Sequence, residues 1–291
     1  MAEYLANAKI NLGLDITGVR ENGYHDLRMV MQTLQLSDIV SVERDGAGRD
    51  IITETLKEGE RGLVPDDRTN LAYRAARLLF DEFGIEEGIR IRIQKRIPIA
   101  AGLAGGSSDA AAVLRAVNDL FSLGLSLEEL QSRGVTLGAD IPYCLVGGTR
   151  IAEGIGEELT PVVPAMPVCP VLLIKPKAAV STGAVYTAYD KGRQDFHPNI
   201  EKLVSAIRDG DLKLVGKSLG NVLEQVTVSM VPEIREVKQF LMGEGALGSL
   251  MSGSGPTVFG LFSDRENCGA AEDKARRTYP DMEVISTFIA G

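Results

Sequence analysis

From Ala8 to Ile16 the chain alternates: Ile10, Leu12, Leu14 and Ile16 fall on one face of an extended segment, and Lys9, Asn11 and Gly13 on the other. The pattern predicts a strand with one apolar face. Asn22-Gly23, inside Arg20 to His25, is a turn signal, and Met29 to Val42 reads as a second strand region. The period then changes. Leu71, Ala75, Leu78 and Leu79 recur at helical spacing, which predicts a helix over Asn70 to Phe83 with Gly84 placed to stop it. Ile89, Ile91 and Ile93 alternate with Arg90, Arg92 and Gln94, again a strand with one buried face. A glycine-rich stretch from Pro98 to Gly106 follows, then a helix from Ser107 to Phe121. Ser107, Ser108 and Asp109 suit its first turn, and Val113, Leu114, Val117, Leu120 and Phe121 form its stripe.

Gly147-Gly148 and Gly154-Ile155-Gly156 mark turns around short strands. Pro161, Pro164, Pro167 and Pro170 crowd the next stretch, so a domain boundary is expected there, dividing the chain into 1–155 and 156–291. Beyond it Val171 to Ile174 is a strand. Pro232 to Met242, Leu247 to Met251, Thr257 to Phe262, Glu266 to Tyr279 and Met282 to Ile289 read as helix, strand, strand, helix, strand. That order predicts an α+β domain with helices on one face of an antiparallel sheet.

Composition narrows the function. A chain of 291 residues is long for one core and suits two domains. A net charge of −9 argues against a nucleic-acid partner, while local dipoles and a few lysines still admit a small anion. Cys144, Cys169 and Cys268 are scattered and form no C-x-x-C, which points to a reducing compartment and away from a zinc or disulfide framework. Met1 to Leu14 lacks a signal-peptide pattern and no run of 18 apolar residues occurs, so a soluble, cytoplasmic protein with no membrane partner is expected.

Chemistry concentrates at Pro98 to Asp109. A strand enters, small residues let the main chain approach an anion, and the first-turn N–H groups and dipole of the following helix favour negative charge. Gly102, Gly105 and Gly106 give G-x-x-G-G, not the G-x-G-x-x-G of a Rossmann turn. The sequence Gly216-Lys217-Ser218 has Asp211 five positions before Gly216, which excludes a Walker A loop there. Taken alone, such a glycine stretch is more often a tight strand-to-helix turn without a ligand.

The string Pro98-Ile99-Ala100-Ala101-Gly102-Leu103-Ala104-Gly105-Gly106-Ser107-Ser108 resembles the loop that defines the GHMP kinases. Lys9 to Leu14 resembles their first motif and Met251 to Phe259 their third, in the family order. The resemblance implies an α+β, two-domain GHMP kinase fold. Its N-terminal domain would bind the nucleotide, and its C-terminal domain would be a ferredoxin-like α+β domain, with substrate in the cleft between them. It also implies ATP and Mg²⁺ as cofactors and an alcohol as acceptor. Asn22-Gly23-Tyr24-His25-Asp26-Leu27, Gly138-Ala139-Asp140-Ile141-Pro142 and Val180-Ser181-Thr182 with Tyr186 are similar to one branch of that family. This branch phosphorylates the small molecule diphosphocytidyl methylerythritol on the non-mevalonate route to isoprenoid precursors. Ala101 and Ala104 depart from it, standing where many relatives carry glycine.

Site residues follow from the same resemblance. Asp140, otherwise a turn aspartate, becomes the base that accepts the proton of the attacking hydroxyl. Lys9, otherwise an edge-strand lysine, becomes a catalytic cation near Asp140. Asn11, on the same face, anchors substrate. His25 meets the edge of a cytosine, with Tyr24 and Tyr186 stacking on its faces, worth about 1–3 kcal/mol per stacked base. Thr182, Gly253, Ser254 and Gly255 complete the substrate side. Pro98, Gly102, Leu103, Ala104, Gly105, Gly106, Ser107 and Ser108 cradle phosphate. Asn70 and Lys95 match adenine-side positions, and they are equally a helix cap and a solvated strand lysine. The competing functions are another GHMP kinase, for homoserine or mevalonate, whose substrates carry no base to stack, and a ligand sensor of the same fold. Intact Lys9 and Asp140 count against the sensor.

Overall fold

The computed structural model describes residues 2–21, 23–45, 48, 50–56, 64–192 and 196–291. Asn22 of the expected turn lies outside the described residues. The chain forms β1 (Ala2–Val19), β2 (His25–Asp45), β3 (Ile51–Leu56), α1 (Leu71–Phe83), β4 (Gly88–Gln94), α2 (Gly105–Leu120), α3 (Leu127–Gly134) and α4 (Ile141–Val146). β5 (Thr149–Glu153), β6 (Glu158–Pro161), β7 (Pro170–Lys175), α5 (Thr182–Lys191), α6 (Ile200–Arg208) and α7 (Leu212–Ser218) follow. β8 (Gly220–Asn221), α8 (Glu224–Met230), α9 (Glu233–Gly243), β9 (Gly248–Met251), β10 (Val258–Leu261), α10 (Arg265–Thr278) and β11 (Glu283–Phe288) complete it. Two compact units emerge. The first holds Met1–Ala8, Leu36–Ile99 and Ala104–Gly147, and the second Lys9–Gln35, Ala100–Leu103 and Gly148–Gly291. They do not coincide with a single cut near residue 155, because β1 and β2 each contribute to both, and no change of composition marks a strand that does so.

In the first unit β4 lies between β3, parallel to it, and the C-terminal half of β2, antiparallel to it. Ile89, Ile91 and Ile93 are wholly buried, each worth about 1.5–3 kcal/mol of apolar burial. They join Leu79 and Phe80 of α1 and Val113, Leu114 and Val117 of α2 in one core. On the other face Arg90 pairs with Glu54 at 2.5 Å and Arg92 with Glu43 at 2.9 Å. α1 begins at Asn70, whose side chain accepts from the Ala72 N–H at 2.8 Å. It ends at Gly84, at φ 62°, a left-handed terminus that glycine adopts without strain.

In the second unit β1 runs parallel to β8 with Gly13 opposite Gly220, and the N-terminal part of β2 pairs antiparallel with β5. The second sheet has the order β11-β7-β10-β9, every pair antiparallel. With helices between β7 and β9 and α10 between β10 and β11, this is the split βαββαβ arrangement of a ferredoxin-like domain. The expected polar face of β1 is covered: the chain is buried on both faces from Ala8 to Leu14. A Cβ on Gly13 would come within 2.7 Å of Ile200 Cδ1 and 2.9 Å of Leu203 Cδ2, so α6 packs where a side chain would stand. Gly216, of the rejected Gly-Lys-Ser match, has the same use. A Cβ there would meet the Leu247 carbonyl at 2.2 Å.

Candidate active site

The first unit holds the helix start expected to meet phosphate. Ser108 N–H makes the opening helical bond of α2, to the Ala104 carbonyl at 2.9 Å. The N–H groups of Gly105, Gly106 and Ser107 therefore have no helical carbonyl to meet, and they sit at the positive end of a 16-residue helix. Gly106 is exposed, and Gly105 and Ser107 are half-buried. Ala104 caps the helix at φ 58° with no side-chain cap bond. That left-handed conformation is one glycine holds more easily, the physical content of the alanine departure noted from the sequence. Ser108 faces inward: its hydroxyl donates to the Asn7 carbonyl at 2.6 Å and lies 3.2 Å from Cys144 Sγ. Pro98 is buried, as are Asn70 and Lys95. Asn70 Nδ2 also donates to the Pro65 carbonyl at 2.8 Å.

Lys95 is not a solvated strand lysine. Its ammonium donates to Asp38 and, at 2.7 Å, to Asp109 Oδ2. Asp38 Oδ1 accepts the backbone N–H of Arg96 at 2.5 Å and of Ile97 at 2.8 Å. Burial pushes the Asp109 carboxyl up to about 7 against the pull of Lys95, with Asp38 adding to the rise. Burial also opposes the Lys95 charge, yet Asp109 and Asp38 outweigh it and hold the ammonium above its ordinary value. Asp38 was missed from the sequence. Its signal was an aspartate between Leu36 and Val40 in a segment otherwise read as strand. Asp140 belongs to this unit too. It is half-buried at the N-terminus of α4, which packs against α2, and its side chain makes no cap bond to that helix.

The second unit gathers most of the remaining candidates. Lys9 N–H donates to the Leu103 carbonyl at 3.1 Å, and its buried ammonium donates to Asn11 Oδ1 at 2.8 Å. Asn11 Nδ2 reaches Met29 Sδ at 3.3 Å. Gly102, at φ 75°, lies against the turn Ser252 to Gly255, and the Ser252 hydroxyl donates to its carbonyl at 3.0 Å. Gly253 and Gly255 take φ 57° and 83°. Asn221, not anticipated, shapes this turn by donating to the Met251 carbonyl at 2.9 Å and the Gly253 carbonyl at 2.8 Å. The Thr227 hydroxyl donates to the Ser254 carbonyl at 3.2 Å. Thr182 and Ser254 share a hydroxyl hydrogen bond at 2.9 Å.

His25, Tyr186, Tyr189 and Asp190 form a second cluster in this unit. The His25 and Tyr186 rings lie 4.8 Å apart, tilted by 38°, and Tyr189 meets His25 edge-on at 6.2 Å. His25 Nε2 is 2.7 Å from Asp190 Oδ1. Tyr186, Tyr189 and Asp190 are spaced to share one face of α5. Tyr24 is 59% exposed, an open aromatic surface beside a buried imidazole. A strand pattern cannot show Asp190 reaching His25 across 165 positions.

Two family models match the chain, GHMP kinases N terminal domain over residues 70–148 and GHMP kinases C terminal over 203–281. A 4-diphosphocytidyl-2-C-methyl-D-erythritol kinase of Caldicellulosiruptor bescii is 46% identical over 97% of this chain and 96% of its own. The chain belongs to the GHMP kinases, in the 4-diphosphocytidyl-2-C-methyl-D-erythritol kinase family. A Clostridium botulinum member is 43% identical over 97% of this kinase and 99% of its own length. A crystal structure of 4-(cytidine 5'-diphospho)-2C-methyl-D-erythritol kinase superposes with TM-score 0.80 and 35% identity, each chain covered completely. Homoserine kinase from Cytophaga hutchinsonii shares the fold at 20% identity and TM-score 0.76, over 99% of this kinase and 94% of that chain. The N-terminal model spans the Pro98 to Ser108 loop, Lys95 and Asp140, and the C-terminal model spans the Ser252 to Gly255 turn. Lys9, Asn11, His25, Thr182 and Tyr186 lie outside both matched ranges.

The donor set bears on magnesium. Among the described residues no three acidic, histidine or cysteine side chains cluster as a metal cage. Mg²⁺ keeps several waters and is commonly held by substrate phosphates with one or two protein ligands. Half-buried Ser107, at the start of α2, offers a hydroxyl oxygen of the kind such a metal takes.

Proposed function

We propose that this kinase transfers the γ-phosphoryl group of Mg²⁺-bound ATP to the 2-hydroxyl of 4-diphosphocytidyl-2-C-methyl-D-erythritol. The reaction would run in the cytoplasm, on the non-mevalonate route to isoprenoid precursors. The observation that carries the substrate choice is the His25, Tyr186, Tyr189 and Asp190 cluster. It combines flat rings with a hydrogen-bonding edge, as a nucleobase requires and homoserine or mevalonate does not. Cysteines that form no disulfide, Cys144, Cys169 and Cys268, suit a reducing compartment.

Residues 1–155 supply the nucleotide turn and Asp140 in this reading, and 156–291 supply Tyr186, Thr182 and the turn Gly253, Ser254, Gly255. The phosphates of ATP lie on the N–H groups of Gly105, Gly106 and Ser107. Gly102 and Leu103 shape the loop, while Pro98, Asn70 and Lys95 support its adenine side and its base. Magnesium would be held by Ser107, waters and the phosphates, and it supplies charge neutralisation on the transferring group. Asp140 accepts the proton of the 2-hydroxyl as the oxygen–phosphorus bond forms and the bond to ADP breaks. Lys9, fixed by Asn11, offsets the negative charge that develops. Asn11 also orients the acceptor, and Tyr24 stacks on the base from its exposed position.

A coupled assay of ADP release with the diphosphocytidyl alcohol, mevalonate and homoserine tests this. Turnover with only the first is expected. Turnover with mevalonate or homoserine instead would sink the substrate assignment, and nucleotide binding without turnover of any would favour the sensor reading.

A further inference from the structure

The loop between Ile97 and Gly105 enters and leaves through one buried ionic cluster. At its entry, Asp38 Oδ1 accepts from the N–H groups of Arg96 and Ile97 at 2.5 and 2.8 Å. At its exit, Asp109 lies just past the first turn of α2 and accepts from Lys95 at 2.7 Å. Lys95 joins the two carboxylates, and the three side chains are 4%, 0% and 4% exposed for Lys95, Asp38 and Asp109. The ammonium also lies directly against the helix terminus: a Cβ on Gly105 would stand 3.2 Å from Lys95 Nζ.

One feature of the cluster is unfavourable for stability. Asp109 Oδ1 is buried with no hydrogen-bond partner among the described residues. A half-satisfied buried ionic group costs more than a well-packed apolar one of the same size. A site serving stability alone has no need of two carboxylates around one ammonium at this point. Asp38 is committed to the strand-exit backbone and Asp109 stands on the helix, so the Lys95 cation ties the two loop ends together through their side chains, beside the packing of Ile97 against Gly105.

We propose that Asp38, Lys95 and Asp109 are positioning residues of the kinase reaction, a buried clamp that sets the nucleotide-binding turn by fixing both ends of its loop. The inference rests on the reading that this turn holds the phosphates of ATP. Lys95 then acts through the backbone of Gly105 and Gly106 and not by touching the nucleotide. Loosening the clamp leaves the N–H groups present but no longer convergent, and convergence is what a phosphate site needs.

The test is calorimetric binding of two probes, ADP for the nucleotide turn and CDP for the cytidine side, with thermal unfolding on the same samples. Lys95→Met should raise the Kd for ADP by at least about tenfold and leave that for CDP unchanged. Asp109→Asn keeps an acceptor for the Lys95 ammonium, and its ADP affinity should fall by a smaller factor, roughly three. Asp38→Asn keeps one acceptor for the backbone and should fall between the two. If Lys95→Met does not fold, the asparagine variants decide. Unchanged ADP affinity in folded variants, or equal losses for ADP and CDP, would overturn the proposal in favour of a general structural role. Gly106→Val separates this from failure of the underlying reading. If ADP still binds Gly106→Val normally, the phosphates are not at this turn. If Gly106→Val abolishes binding while the clamp variants retain it, only the clamp is refuted.

Discussion

Gly102 and Ser252 are packed so closely that no other residue fits at position 102. A Cβ there would lie 2.3 Å from the Ser252 carbonyl oxygen, and the Ser252 hydroxyl donates to the Gly102 carbonyl at 3.0 Å. Two glycine-rich segments separated by 150 positions therefore hold each other's main chain. Gly102 is required by this contact and by its φ of 75°, whatever it does for phosphate.

Gly102→Ala should then cost stability before it costs binding. Overpacking costs about 1–3 kcal/mol and left-handed backbone about 1–2 more, so a loss of roughly 2–5 kcal/mol is expected. Urea unfolding measures it. A change below about 0.5 kcal/mol, the scale of an ordinary surface substitution, would show that the two turns separate easily.

The two glycines of the helix terminus differ in a way that selects the better probe. At Gly105 a Cβ would press on Lys95 Nζ and Ile97 Cγ2, both at 3.2 Å, so Gly105→Val disturbs the protein as well as any ligand. At Gly106 the nearest atom is Leu71 Cδ1 at 3.7 Å, an ordinary contact. Gly106→Val should fold with a melting temperature close to that of the parent. Its ADP affinity should fall by at least about a hundredfold, ~2.7 kcal/mol, because the branched side chain would stand in the proposed phosphate site. Calorimetry and thermal unfolding on one preparation check both halves of this claim.

Local periods carried much of the fold. The helix after Asn70, the Ile89 to Ile93 strand and the α+β order after Pro232 follow from spacing that burial then enforces. What spacing could not show was depth. Lys9, Asn11 and Gly13 alternate with apolar residues and so read as a polar face, yet Ile200 and Leu203 cover Gly13. The coverage depends on a helix almost 190 positions away. The candidate site divides in the same way. Glycine turns announce themselves by composition, whereas Asp38, Asp190 and Asn221 act through partners at separations of 57, 165 and about 30 positions, which no short window contains.

Asp109 gives the stability of the protein a pH dependence. Its carboxyl is raised from 3.8 to about 7, chiefly by burial. Folding therefore favours its protonated form. The stability it contributes is full below the unfolded value and is lost as pH rises through about 7. The slope approaches ~1.4 kcal/mol per pH unit between those limits. Asp109→Asn, which has no proton to lose, should gain on the parent as pH is raised from 5 to about 8. Denaturant unfolding at a series of pH values measures the difference, and a constant gap would contradict this account.

Asp190 holds His25 from outside the rings. Replacing it by alanine removes a hydrogen bond worth about 0.5–1.5 kcal/mol net, so the KM for the diphosphocytidyl alcohol should rise roughly three- to tenfold. The KM for ATP should stay as it was, since the bond is confined to the His25 cluster. Steady-state kinetics with each substrate varied in turn distinguishes this from a general loss of activity, in which kcat would fall as well.

The proposed catalytic pair makes the most demanding prediction. Lys9 is buried, its ammonium bonded to Asn11 and its backbone to Leu103, so its position is set by β1 and the loop together. Asp140 is held at the start of α4 without serving as its side-chain cap. Losing one well-placed electrostatic group costs about 10²–10³ in turnover, roughly 2.7–4 kcal/mol. Asp140→Asn and Lys9→Ala should each lower kcat by at least that order, with ADP and CDP affinity retained. Residues that act on one step as a unit are far from additive, so the double variant should be little slower than the worse single one. If the losses multiply, the two act on separate steps. If Asp140→Asn keeps a near-native kcat, the proton goes elsewhere and Asp140 is not the base.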